Sequence, residues 1–133
     1  MRFFVVSSLV CAVAAGSVAA KPSLRDVDPV ENGLFAIAVA DKIRNECDAI
    51  SGRVLKAMRQ LSDLQDYAVS IGYSKDEIKS YVRSDAEKRR MEAKRDAYLT
   101  TLGVVKSDPA TYCAAGRAEI EKSSRIGALL RAR

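Results

Sequence analysis

Apolar residues recur along positions 39–71 as Val39, Ile43, Cys47, Ile50, Val54, Ala57, Met58, Leu61, Leu64, Ala68 and Ile71. Apart from the adjacent pair Ala57-Met58, every step is three or four residues. That spacing draws one apolar stripe on an α-helix, or on two helices meeting near Gly52. Its phase does not slip across Ser51-Gly52, which predicts near-collinear segments with a kink or short break at the glycine. Gly72 supplies a left-handed position to stop the second segment.

Upstream, Gly33-Leu34-Phe35-Ala36-Ile37-Ala38-Val39-Ala40 is apolar on every side of a helix. Such a helix is buried within its own domain or meets a partner, either a homodimer mate or a client chain. Leu34, Phe35, Ile37 and Val39 are the candidate partner surface. Residues 21–32 hold two of the three prolines and mixed charge, and are expected to form a flexible, loosely docked N-terminal arm. Asp28-Pro29 within it has the form of a helix start. Asp26-Val27-Asp28 is not a calcium loop, because Val30 and Glu31 stand where an oxygen ligand and a glycine are needed.

Downstream, Ser74-Lys75-Asp76-Glu77 and Ser84-Asp85-Ala86-Glu87 are capping boxes. They predict a short helix over 75–83 and a longer one over 85–102 ended by Gly103, with a single bent helix as the alternative. The longer helix is highly charged, but Asp85 precedes Arg89 by four and Lys88 precedes Glu92 by four. Such pairs neutralise one another, so a solvated face is expected there rather than a phosphate-binding one. Ala86, Ala93 and Ala97 form a narrow strip suited to close helix approach, and Met91, Tyr98 and Leu102 form a second strip on the opposite side, so that either can face the core. Asp108-Pro109 starts a last helix, running to about Ser123, with Cys113, Gly116 and Ile120 on one face. Arg125-Ile126-Gly127-Ala128-Leu129-Leu130 reads as a segment tucked against the core, or as a short surface-docking peptide.

The first twenty residues change the picture of where the chain works. A short positive start, an apolar run from Phe3 to Ala15 and the small residues Gly16-Ser17-Val18-Ala19-Ala20 have the three-part form of a secretory signal, with a membrane anchor as the alternative. Cleavage after Ala20 leaves 133 − 20 = 113 residues, with residues 33–133 as the helical domain. It also leaves 22 − 1 = 21 basic against 17 acidic side chains, too small an excess to predict a nucleic-acid partner. No later run is long enough to predict a transmembrane segment. Cys11 leaves with the signal, so Cys47 and Cys113 remain, an even number in an exported chain with one pairing available. A disulfide between them closes a loop worth about 4 kcal/mol on the chain-entropy estimate. Two free buried cysteines are the alternative.

The residues Ala40-Asp41-Lys42-Ile43-Arg44-Asn45-Glu46-Cys47, Gly72-Tyr73-Ser74, Tyr112-Cys113-Ala114-Ala115-Gly116-Arg117-Ala118-Glu119-Ile120 and Ser124-Arg125-Ile126-Gly127-Ala128-Leu129-Leu130 span nearly all of the mature chain. In them the chain resembles an uncharacterised family of small secreted bacterial proteins, domain of unknown function family 5333. The resemblance implies export and a two-cysteine helical domain, and it implies no activity.

The chain has no histidine. The usual general base at neutral pH and the commonest metal ligand are therefore missing, and two cysteines alone do not make a structural zinc site. Ser-His-Asp and Cys-His arrangements are excluded within the chain. Ser80 and Ser84 near lysines leave a serine–lysine hydrolase formally open, although helix-surface serines beside lysines are common. No glycine-rich phosphate loop is present. The expectation is an all-α bundle of four to five helices stapled by Cys47–Cys113, periplasmic or secreted, with no catalytic, metal or cofactor residues. Its expected role is non-enzymatic: binding another protein, or a second copy of itself, or supporting an envelope assembly. A small stress chaperone that opens to expose residues 34–40 is the alternative, and an enzyme comes last.

Overall fold

The central element is α1 (Asp28–Glu46), and every other helix but one packs against it. The structure, a computed structural model, describes residues 20–133, so the expected signal segment lies outside the described residues except for Ala20. Pro29 sits in the first turn of α1, where its missing N–H costs nothing, and Asp28 and Glu31 complement the positive end of the helix dipole. A helix that is apolar all round suits this central place, because neighbours cover it from several sides.

Cys47 caps the C-terminal end of α1, and a turn leads into the strand β1 (Ile50–Gly52) before α2 (Val54–Ser70) begins. The chain therefore reverses: Gln60 Nε2 of α2 donates to Gly33 O near the start of α1 at 3.0 Å. The near-collinear arrangement expected for 39–71 is wrong. Residues 47 to 53, seven in all, separate the two helices. Seven residues make almost two whole helical turns, so the hydrophobic phase continues across a reversal as smoothly as along a rod.

After α2, Gly72 adopts φ 102° and stops the helix as its sequence position predicts. α3 (Lys75–Arg83) opens with a complete capping box between Ser74 and Glu77. α4 (Asp85–Thr101) follows as a separate helix, and Gly103 at φ 83° ends it. Only half of the second box forms. Ser84 Oγ accepts from Glu87 N at 3.3 Å, while the Glu87 carboxylate turns instead to Arg90 and Arg25. Of the two strips on α4, the one with the larger side chains packs inward. Ala86, Ala93 and Ala97 are exposed, whereas Met91, Tyr98 and Leu102 face inward beside the buried Leu99. Larger side chains release more free energy on burial, so they take the inner face.

α5 (Pro109–Glu121) is capped by Asp108, whose carboxylate accepts from Ala110 N at 3.0 Å. It lies against α1, and the two are joined by the disulfide Cys47–Cys113, with Cα atoms 5.2 Å apart. Close approach depends on Gly116: a Cβ there would stand 2.4 Å from Ile50 Cδ1 and 2.7 Å from Ile43 Cγ2. The chain then folds back through a 3-10 turn, Gly127–Leu129, into β2 (Leu130–Ala132). β2 pairs antiparallel with β1, Ile50 opposite Ala132 and Gly52 opposite Leu130. Ile126, Leu129 and Leu130 are buried, so this tail is tucked against the core.

Two apolar clusters result. The larger surrounds the C-terminal half of α1 and includes Val39, Ile43, Cys47, Ile50, Tyr112 and Leu130. The smaller joins Leu24, Val30, Ala68 and Tyr73. The second cluster corrects the expectation of a flexible arm at 21–32. Leu24 and Val30 are buried, Tyr73 donates to Pro22 O at 2.5 Å, and Lys21 donates to Gly72 O at 2.8 Å. Two apolar anchors outweigh the proline and charge content that suggested a loose segment.

The tail is held by Glu119, which is wholly inaccessible to solvent. Its carboxylate accepts from Tyr98 Oη and Lys122 Nζ, both at 2.8 Å, and from Ser124 Oγ. A Cβ on Gly127 would lie 1.9 Å from Glu119 O, within the backbone itself. Both glycines are therefore expected to resist alanine. Denaturant unfolding should show Gly116→Ala destabilised by about 1–3 kcal/mol, as overpacking costs. Gly127→Ala should lose more, because backbone atoms cannot swing aside as the end of Ile50 can. Equal stability of either variant to the wild type would contradict this packing.

Candidate functional site

The face of α1 left uncovered by α4 and α5 carries Leu34, Ile37, Ala38 and Asp41, spaced by three, one and three residues. It forms the floor of an open trough. One wall is built by α3 and α4, through Tyr81, Val82 and Met91, around a depression of about 300 Å³. The other wall is α2. Leu61 borders a depression on the α1–α2 seam with Ile37, and another with Leu34 and Val82. Shared lining residues make these three depressions one continuous apolar surface. Its rim carries both signs of charge: Asp41, Glu87, Glu92, Lys88 and Arg95.

The four residues expected to form a partner surface divide between two faces. Leu34 and Ile37 are three apart and line the trough. Phe35 and Val39 are four apart and turn about 100° away, since each helical residue advances by that angle. Val39 is fully buried in the main core, and Phe35 meets Tyr98 edge-on with ring centroids 5.3 Å apart. An all-round apolar segment has no polar residue to mark which face stays open, so α1 alone could not separate the pairs. Val82 and Met91 carry no shared signal in the sequence, because they belong to different helices. Their meeting depends on the sharp turn at Ser84.

A polar network closes the end of the trough. Arg90 spans the two oxygens of Glu31 at 2.9 and 2.8 Å, and also reaches Glu87 at 2.8 Å and Tyr81 Oη at 3.2 Å. Lys94 Nζ adds a third bond to Glu31 at 2.8 Å and lies 5.0 Å from the Phe35 ring centroid. Among the described residues neither expected pair, Asp85 with Arg89 or Lys88 with Glu92, forms. Arg90 and Lys94 reach across to α1, and the pairs three apart on α4 are Arg90 with Glu87 at 2.8 Å and Lys88 with Asp85 at 3.9 Å. Arginine forms the bidentate bond because its planar fork matches the carboxylate.

Hydrogen bonding from Arg90 holds the Glu31 carboxyl below its ordinary value; burial opposes this and Lys94 reinforces it. At Glu119 burial acts to raise the value, and hydrogen bonds from Lys122, Ser124 and Tyr98 together outweigh it, leaving the carboxyl lowered. Burial, followed by the bond to Glu119, raises the Tyr98 hydroxyl. Each carboxylate is satisfied by three donors. Among the described residues no cluster of three or more histidine, cysteine or acidic side chains could hold a metal ion. Among them, too, no helix is long and apolar enough to cross a membrane.

The lowered Glu31 carboxyl has a definite pH sign. A folded-state value below the unfolded one contributes stability that is present above about pH 4.5 and lost as pH falls through the lowered value. Glu31→Gln is expected to cost about 1–3 kcal/mol at pH 7. It should also flatten the fall of thermal midpoint on acidification, measured from pH 6 to pH 2. An acid limb as steep as the wild type's would show that Glu31 does not supply this term.

Comparison with curated proteins and with solved structures gives no match. A protein-family profile does match, over residues 22–131, which takes in all five helices and both strands apart from the final residue of β2. The chain belongs to the family of unknown function DUF5333.

Proposed function

We propose that this is a non-enzymatic helical protein, working in the periplasm or outside the cell, that binds another protein chain through the trough over α1. The observation that carries the proposal is the continuous apolar lining from Leu34 and Ile37 to Val82, Met91 and Leu61, open to solvent. Contiguous apolar surface rimmed by mixed charge is costly to expose and characterises interaction sites. A floor of Leu34, Ile37 and Ala38 between two helical walls suits the apolar face of a partner helix. The disulfide supports the extracytoplasmic part of the proposal, because such bonds persist in oxidising compartments. The satisfied carboxylates and the absence of histidine support a binding role over catalysis.

The test places a photo-crosslinking residue at Val82 in the trough and, as control, at the exposed Arg117 of α5. In cells expressing the protein at its native level, a discrete adduct is expected from position 82 and none from 117. Adding Ala38→Glu, with folding checked by circular dichroism, should remove that adduct. No adduct from position 82, or equal adducts from both positions, would overturn the proposal. Suppression of client aggregation across pH without a discrete adduct would favour the chaperone alternative.

A further inference from the structure

The trough continues past Val82 along α3, and there its character changes. A depression of about 340 Å³ between α2 and α3 is lined by Gln65, Ile78 and Val82 and by three cations, Lys75, Lys79 and Arg83. It shares Gln65, Ile78 and Val82 with the depression that reaches Leu34. The cations follow one another at steps of four residues, each about 40° round the helix from the last, and so form one ridge about 12 Å long. On the same scale Ile78 and Val82 lie about 60° and 20° to one side of Lys75, which sets an apolar pair along the foot of the ridge.

Among the described residues Lys75, Lys79 and Arg83 make no ion pair. Neither do the carboxylates beside them in sequence, Asp76 on α3 and Asp66 next to Gln65 on α2, and Glu77 is taken by Lys21. At the other end of the trough the rim is largely neutralised: Asp41 pairs with Arg44, Glu87 with Arg90 and Arg95 with Asp96, although Glu92 is unpaired. Like charges four apart on one helix repel. Lys75 also stands in the first turn of α3, at the positive end of the helix dipole. α3 thus carries a ridge that works against its own stability, and carboxylates from outside would relieve it.

From this arrangement we propose that the partner held in the trough is acidic at this end. It is an amphipathic helix of another protein whose Asp or Glu side chains, also spaced by four, meet Lys75, Lys79 and Arg83. Its apolar face covers Ile78 and Val82 and continues onto Leu34 and Ile37. The inference rests on the trough reading above and adds to it the partner's charge and the end at which that charge lies. Packed helices present rows of residues four apart, so a row of carboxylates on one helix can track a row of cations on another. The apolar residues here line a hollow between two helices, which a helix can enter and a flat lipid surface does not follow. Charge pairs at the edge of an apolar contact fix register and exclude wrong partners more than they add affinity. Carboxylates over α3 therefore set the direction in which the partner lies along α1.

The test carries the photo-crosslinking residue at Val82 in two full-length chains, one otherwise wild-type and one with K75E/K79E/R83E. The three reversed positions are exposed, and circular dichroism checks that the variant folds. The adduct from the reversed chain is expected to fall by about tenfold or more, since like charges are then juxtaposed. Mass spectrometry of the wild-type adduct should identify a partner segment with Asp or Glu at three- or four-residue spacing. Changing those residues to Lys in the partner should remove its adduct with the wild-type chain and restore it with the reversed one. An undiminished adduct from the reversed chain would overturn this inference and leave the trough reading standing, as would a crosslinked segment without carboxylates or a failure of the exchanged charges to restore it. An adduct with the mass of a phospholipid would overturn it in favour of a membrane surface. No adduct at all from the wild-type chain would overturn the trough reading and this inference together.

Discussion

α1 can be enclosed only because α5 comes very close to it, and that approach is secured by a covalent bond beside a missing side chain. Cys113 is bonded to Cys47 at the C-terminal end of α1. One helical turn later, Gly116 leaves room for Ile43 and Ile50. Ile50 opens β1, β1 pairs with β2, and β2 is the end of the tail that seals Leu129 and Leu130 into the core. The disulfide also shortens the disordered chain's range, the effect that matters most in a domain of this size, where apolar burial alone leaves a narrow margin.

Two buried or nearly buried carboxylates do the remaining fastening. Glu119 ties the tail to α5 and α4, and Glu31 ties α1 to α4. Removing carboxylates from water is unfavourable, and each is offset by three or more donors. In return they fix positions that apolar contacts alone would leave adjustable. The trough inherits its shape from them. Its α4 wall is held against α1 by Arg90 and Lys94, and Glu87 links that wall to Arg25 before α1.

Local signals in the chain carried most of this architecture. Ser74 with Glu77, Gly72, Gly103 and Asp108-Pro109 mark helix ends through contacts within one turn, and all of them act as their chemistry implies. The cysteine pair follows from counting. What the chain could not display was decided by residues far apart. Each strand is three residues long and exists only because its partner, some eighty positions away, is brought beside it. Glu31 has no neighbour in sequence that reveals its bond to Arg90, fifty-nine residues on. For the trough, Leu34 and Ile37 were legible as apolar, but which side of α1 stays open depends on where α4 and α5 lie.

The trough over α1 stands on a frame anchored by the bond at Cys47. Peptide mapping of the mature protein from its native compartment tests that anchor directly, with free thiols alkylated under denaturing conditions and no reductant. The account predicts a single linked species containing Cys47 and Cys113, neither alkylated, which reduction separates into two peptides. Recovery of both cysteines alkylated without reduction would contradict it.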